Sequence, residues 1–176
     1  YQQLKRALES GASSDAVVME YGGNDCDFDW AAISAQPDAE HHPHTVPEMF
    51  RDTYRSMVRM VREAGMIPVI VNLPPIDSRR YLGWICRNGL SRENILHWLG
   101  DPERIYRFQE YYSRTVEKLA YETGTELLDI RSAFLTRKDC QELISADGIH
   151  PSEKGYRLMQ EVFRKEGLQK WNLCPA

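Results

Sequence analysis

Three short apolar runs, at positions 16–21, 68–73 and 126–130, are separated by long stretches with helical apolar spacing, and this alternation constrains the fold more than any other feature. Within the first run Val17, Val18 and Met19 are consecutive rather than alternating, as expected of a strand covered on both faces in a parallel sheet. Parallel neighbours require a crossover between them. The pattern therefore predicts an α/β domain with a parallel sheet.

The connecting segments carry their own signals. Tyr1, Leu4 and Leu8 share one helical face, which ends across 10–15 at Gly11 and small polar residues. Thr45 with Glu48 forms a capping box ahead of the stripe Met49, Phe50, Tyr54, Met57, Val58 and Val61, which stops at Gly65. Asp101 and Pro102 open a further stripe of Ile105, Phe108, Tyr112, Val116 and Leu119, ended near Gly124. Ser152 reads as the N-cap of a last helix bearing Tyr156, Met159, Val162 and Phe163. The segment 76–100, with Trp84 and Trp98, exceeds an ordinary strand-to-helix connection and reads as a lid or pocket wall.

At 176 residues, 42% hydrophobic and 27% charged, the chain reads as one soluble globular domain over 1–176. Its formal charge of -4 gives no basic surplus for a phosphate backbone, so no nucleic-acid partner is expected. No apolar run of about 18 residues spans a bilayer, and no signal-peptide pattern follows Tyr1. No membrane partner is expected, and the location expected is the cytoplasm, with a secretion signal ahead of Tyr1 left open. Cys26, Cys86, Cys140 and Cys174 form no C-x-x-C pair, which points to reduced thiols rather than a zinc site.

Ligands of open parallel sheets bind beyond the carboxyl ends of the strands. The segments to inspect thus begin at Gly22, Pro74 and Arg131. Gly22, Gly23, Asn24 and Asp25 put flexible backbone beside a carboxamide donor, with Cys26, Asp27, Phe28, Asp29 and Trp30 behind them. A plain glycine turn, with Asn24 and Asp25 bonding their own backbone, is the simpler alternative. The second candidate is Asp147-Gly148-Ile149-His150-Pro151, where a carboxylate three residues ahead of a histidine can hold one imidazole nitrogen and leave the other free as a base.

Together, Gly22-Gly23-Asn24-Asp25 and Asp147-Gly148-Ile149-His150 resemble the third block, G-x-N-D, and fifth block, D-x-x-H, of the SGNH or GDSL hydrolases. They occur in the same order, the first after a buried strand and the second before the last helix. The run ending in Leu73-Pro74-Pro75 and the strand end near Asp129 are similar to that family as well. The resemblance implies a flavodoxin-like three-layer α/β/α fold and serine-dependent hydrolysis of an acyl ester or acetylated carbohydrate, with no cofactor and no metal. By the same resemblance His150 is the general base, Asp147 its orienter, Asn24 an oxyanion donor, and Gly22 and Gly23 the loop that approaches substrate.

The family's G-D-S block, which carries the nucleophile, and the glycine of its second block are absent. Ser10, Ser13 and Ser14 precede the first strand, while Ser78 and Ser132 lie outside any sharp strand-to-helix elbow. The expectation is that a strand-helix-strand unit bearing the serine precedes Tyr1. Without it the 16–21 strand would be an open apolar edge, covered by that segment or by a second chain. Two rivals stand beside this reading. A metal-dependent hydrolase would use Asn24, Asp25, Asp27 and His150; the His41, His42 and His44 cluster could also bind a metal, but a solvated loop ahead of Thr45 is its simpler reading. A non-catalytic binding module would need no nucleophile.

A substrate wall is expected from Asp27, Phe28, Asp29 and Trp30 with Trp84 and Trp98, suited to a sugar ring or short acyl group. Core filling by the tryptophans is the alternative. Arg79, Arg80 and Arg131 are candidates for an anionic substrate, or simply solvated loop-end arginines.

Overall fold

The computed structural model describes residues 1–170, with side chains through Gly167. Its elements are α1 (Gln2–Glu9), β1 (Ala16–Met19), α2 (Trp30–Ala35), α3 (Pro47–Glu63), β2 (Ile67–Val71), α4 (Ser78–Cys86), α5 (Arg92–Leu99), α6 (Glu103–Thr123), β3 (Glu126–Leu128), α7 (Ile130–Leu135), a 3-10 turn (Cys140–Leu143) and α8 (Glu153–Lys170). The three strands lie in the order β1-β2-β3, all parallel, with Val18 opposite Val69 and Val71 opposite Leu128.

The period of two sorts the strand residues onto two faces. Met19 and Ile70 face a core built from Phe50, Tyr54, Val58 and Val61 of α3 and Tyr112, Val116 and Leu119 of α6. Val69, Val71 and Leu128 face the opposite way, against Met159, Val162 and Phe163 of α8. This is the three-layer α/β/α arrangement expected. A third cluster joins α2, α4 and α5 through Trp30, Ile33, Leu82, Ile95 and Leu99, so the 76–100 segment is folded as two helices with a core of their own.

Several boundaries differ from the expected ones. Pro47 occupies the first turn of α3, and the N-cap is Val46 without a side-chain bond, so Thr45 and Glu48 form no capping box. Thr45 instead gives its amide to the Asp25 carbonyl at 3.0 Å, and its carbonyl accepts from the Tyr112 hydroxyl. β3 stops at Leu128 because Asp129 caps α7, accepting from the Ser132 amide at 2.9 Å. Ser152 behaves as expected at the head of α8, accepting from the Gly155 amide at 3.2 Å.

Two polar ties fix the carboxyl ends of the strands. The Tyr54 hydroxyl donates to the Met19 carbonyl at 3.0 Å. Fully buried Asn72 donates to Asp129 at 2.7 Å and accepts from the Arg131 amide at 3.0 Å, joining β2 to the start of α7. The second edge of β1 pairs with no strand among the described residues, and Val18 is 46% exposed there. Cys26, Cys86 and Cys140 are free thiols, and Cys174 lies outside the described residues. No helix among the described residues is long and apolar enough to cross a membrane.

Candidate active site

A cleft of about 310 Å³ opens beyond the carboxyl ends of β1 and β2. Its walls bring together the two sequence motifs: Gly22, Gly23, Asn24 and Asp25 from the loop after β1, and His150 from the turn before α8.

The 144–151 segment forms a tight turn closed by the antiparallel bridge between Ile144 and Pro151. Within it the Ser145 amide donates to the His150 carbonyl at 2.9 Å, and the Gly148 amide to the Ser145 carbonyl at 3.1 Å. This puts His150 Nδ1 2.7 Å from Asp147 Oδ2. The other Asp147 oxygen accepts from the Ser145 hydroxyl at 2.6 Å and from the amides of Ile149 and His150, each at 3.0 Å. Burial pushes the Asp147 carboxyl up, but these donors together with the imidazole outweigh it and hold the group well below the usual carboxylate range. An ionised carboxylate on Nδ1 fixes the ring orientation and directs Nε2 away from itself. The imidazole is 67% exposed, so Nε2 is accessible from the cleft.

The opposing loop is equally constrained. The Cys26 amide donates to the Gly22 carbonyl at 3.0 Å, and the Asn24 carbonyl accepts from His44 Nδ1 at 3.1 Å. Gly22 has φ of 131°, and a Cβ there would meet Leu73 Cδ1 at 3.0 Å, so the close approach of this loop to β2 depends on glycine. Asn24 is exposed, and among the described residues its carboxamide takes no hydrogen bond. The turn is therefore tied by backbone groups and His44 rather than by the Asn24 side chain.

The structure brings some of the residues expected to form a substrate wall to the cleft. Asp27, Phe28, Trp30 and Trp98 line the cleft. Trp84 does not: it is 40% exposed, with the Arg87 guanidinium 3.6 Å above its ring. Asp29 is spent on the N-cap of α2. Tyr81, Arg104, Phe108 and Gln109 also line the cleft without being singled out by the sequence: Phe108 reads there as helix stripe, and Tyr81 falls within the 76–100 segment expected to form a lid or pocket wall. Arg79 pairs with Glu103 and Arg80 with Asp77, while buried Arg131 pairs with Glu110 and bonds the Leu73 carbonyl at 3.0 Å. None of the three reaches the cleft.

No serine or threonine lines the cleft among the described residues. Ser78 is buried and donates to Glu103 at 2.8 Å, and Ser132 donates to Asp129 at 2.6 Å. Cys26 is the cleft's thiol, yet burial and then the Asp27 charge push its pKa up to about 12, which leaves it protonated and unreactive at neutral pH. The three histidines of the 41–44 stretch are each engaged separately, His41 by the Gln36 carbonyl, His42 by Glu40 and His44 by Asn24.

Comparison with known proteins bears on the family and the fold. The profile of the GDSL-like Lipase/Acylhydrolase family matches residues 1–158, and the chain belongs to that family. A curated relative, the GDSL esterase/lipase CPRD49 of Arabidopsis thaliana, is 22% identical over 167 residues, which is 93% of this chain. The chain spans 59% of that relative's length. Among solved structures, a lipase/acylhydrolase from Enterococcus faecalis superposes with a TM-score of 0.65 at 19% identity, covering 98% of this chain and 72% of the other. An acetylxylan esterase from Geobacillus stearothermophilus gives 0.60 at 20% identity, covering 94% and 66% respectively. These similarities show a shared fold.

Proposed function

We propose that the chain forms the base and oxyanion side of a serine ester hydrolase acting on an acyl ester or acetylated carbohydrate. The observation that carries this reading is the 2.7 Å bond from His150 Nδ1 to Asp147, in a cleft also lined by Asn24. In this mechanism His150 Nε2 takes the proton of an attacking serine hydroxyl as its oxygen bonds to the ester carbonyl carbon. The imidazolium then gives that proton to the departing alcohol, leaving an acyl-enzyme. Water repeats the sequence and releases the acid. Asp147 stabilises the imidazolium throughout, and the Asn24 carboxamide donates to the carbonyl oxygen as it becomes negative.

The nucleophile in this reading is a serine carried by a strand that pairs with the open edge of β1, beside the Gly22 loop. The exposed Val18 on that edge supports a neighbouring strand, supplied by the same polypeptide or a second one. The Geobacillus esterase lends indirect support: its catalytic mutants replace a serine, an aspartate and a histidine, the last two spaced three residues apart like Asp147 and His150. Its acetylxylan activity adds support for acetylated carbohydrate, which the family resemblance already implies.

A fluorophosphonate probe tests the reading. The protein at its full natural length is expected to be labelled, and His150→Ala to lose labelling. A well-folded full-length protein that stays unlabelled sinks the serine hydrolase. The absence of serine from the described cleft lining would then favour a hydrolase-like binding module.

A further inference from the structure

Opposite the Asn24 loop, the inner wall of the cleft is aromatic, and Asp27 and Gln109 beside it already hold hydrogen-bond partners. Phe28 stands at the centre, with ring centroids 4.9 Å from Trp98 and 5.0 Å from Phe108, both edge-to-face, and 5.7 Å from Trp30. Phe28 and Trp30 are 7% and 8% exposed, so these rings are held by packing before any ligand arrives. Trp98 is further fixed by Arg104, whose guanidinium lies 4.8 Å over the indole and donates to the Trp98 carbonyl at 3.0 Å.

Hydrogen-bonding groups on this wall are turned onto one another. Asp27 accepts from Trp30 Nε1 at 2.8 Å through one oxygen and from the Tyr81 hydroxyl at 2.5 Å through the other. Gln109 donates to the Pro74 carbonyl at 2.8 Å and accepts from Arg131 at 3.0 Å. A sugar ring placed here would bury hydroxyls against donors and acceptors that already have partners, and each unmatched hydroxyl is costly. An apolar ring faces no such loss and gains edge-to-face contacts. The cleft volume of about 310 Å³ is that of roughly ten waters at about 30 Å³ each. An acetyl group alone would leave most of it unfilled.

We infer that the Phe28, Trp30, Trp98 and Phe108 wall is a specificity site for an uncharged aromatic ring on the ester, and that it selects ring-bearing apolar esters over acetylated sugars. This deepens the hydrolase reading and rests on it for catalysis, while ring binding can be measured without turnover.

The test uses the full-length protein and esters of unactivated alcohols: benzyl acetate and ethyl phenylacetate carry an aromatic ring on one side or the other, and ethyl acetate and acetylated xylose carry no aromatic ring. The expected result is kcat/KM at least about tenfold higher for one or both aromatic esters than for either ester without an aromatic ring. Trp98→Ala is expected to collapse that ratio, and Trp98→Phe to restore most of it. Protein that labels with fluorophosphonate but prefers acetylated xylose, or treats all four alike, overturns the inference and leaves the hydrolase reading standing. Protein that does not label overturns the hydrolase reading, and the inference is then decided by tryptophan fluorescence: saturable quenching by benzyl alcohol but not xylose supports it, and the absence of ring binding overturns it.

Discussion

His150 Nδ1 sits 2.7 Å from Asp147 Oδ2 inside a turn of eight residues whose backbone bonds and Ile144–Pro151 bridge leave the pair little freedom. Three further bonds hold the carboxylate, from the Ser145 hydroxyl and from the amides of Ile149 and His150. Replacing Asp147 with Asn removes the charge that selects the Nδ1-protonated ring and stabilises its cation. A fall in kcat of about 10⁴-fold is expected, with KM little changed. Steady-state kinetics on the full-length enzyme check it.

The same carboxylate makes stability depend on pH. Its folded pKa lies below the ordinary 3.8, so its contribution is complete above that value and is lost as pH falls toward the lowered one. Urea midpoints of the native protein and Asp147→Asn should therefore differ most near neutrality and converge as pH drops below about 4. A gap that is constant or widens in acid would contradict this assignment.

Asn24 tests the opposite wall. Its exposed carboxamide has no partner to lose among the described residues, so Asn24→Ala should change stability by no more than about 0.5 kcal/mol. Its effect on kcat should be a loss of about 10² to 10³, the cost of one oxyanion donor. Thermal melts and kinetics on one preparation separate the two effects.

Gly148 holds the Asp147 turn against α4. Its φ is 84°, and a Cβ would clash with the Tyr81 amide and stand 2.6 Å from the Asp77 carbonyl. That same turn is tied to α4 by the Asp77 amide donating to the Gly148 carbonyl at 2.8 Å. Gly148→Ala should destabilise by about 2–4 kcal/mol, combining left-handed strain with overpacking. Denaturant unfolding measures it directly.

Much of this organisation is legible in the sequence. Consecutive Val17, Val18 and Met19 mark a strand of the parallel sheet, though only Met19 is buried and Val18 is exposed, and the spacing of Asp147 and His150 marks the hydrogen-bonded pair. What escapes is decided by competition between neighbours. Thr45 and Glu48 have the letters of a capping box, but Pro47 takes the first helical position and Thr45 is drawn to Asp25 and Tyr112. Ile130 continues an apolar run, yet Asp129 caps a helix there. Trp84 and Trp98 share one segment, but successive helices turn one to solvent under Arg87 and the other into the cleft. Phe108 lies on a core-forming stripe, and its second role as cleft wall has no periodic signature.

Arg131 shows how the cleft floor is braced from behind. At 3% exposure it bonds the Leu73 carbonyl, Gln109 and the Tyr106 hydroxyl, each at 3.0 Å, and pairs with Glu110. Arg131→Ala would strand these groups, and a loss of about 3–5 kcal/mol is expected in denaturant unfolding. Because Gln109 in turn holds Pro74, surviving folded enzyme should also bind substrate less well.

In the proposed mechanism Asp147 and His150 activate a serine borne on a strand beside β1. Mapping the fluorophosphonate adduct by peptide mass spectrometry tests it most directly. A single adduct is expected, on a serine outside these 176 residues, and absent when His150 is alanine. An adduct on Ser78, Ser132 or Ser145, or one that forms equally well without His150, would contradict it.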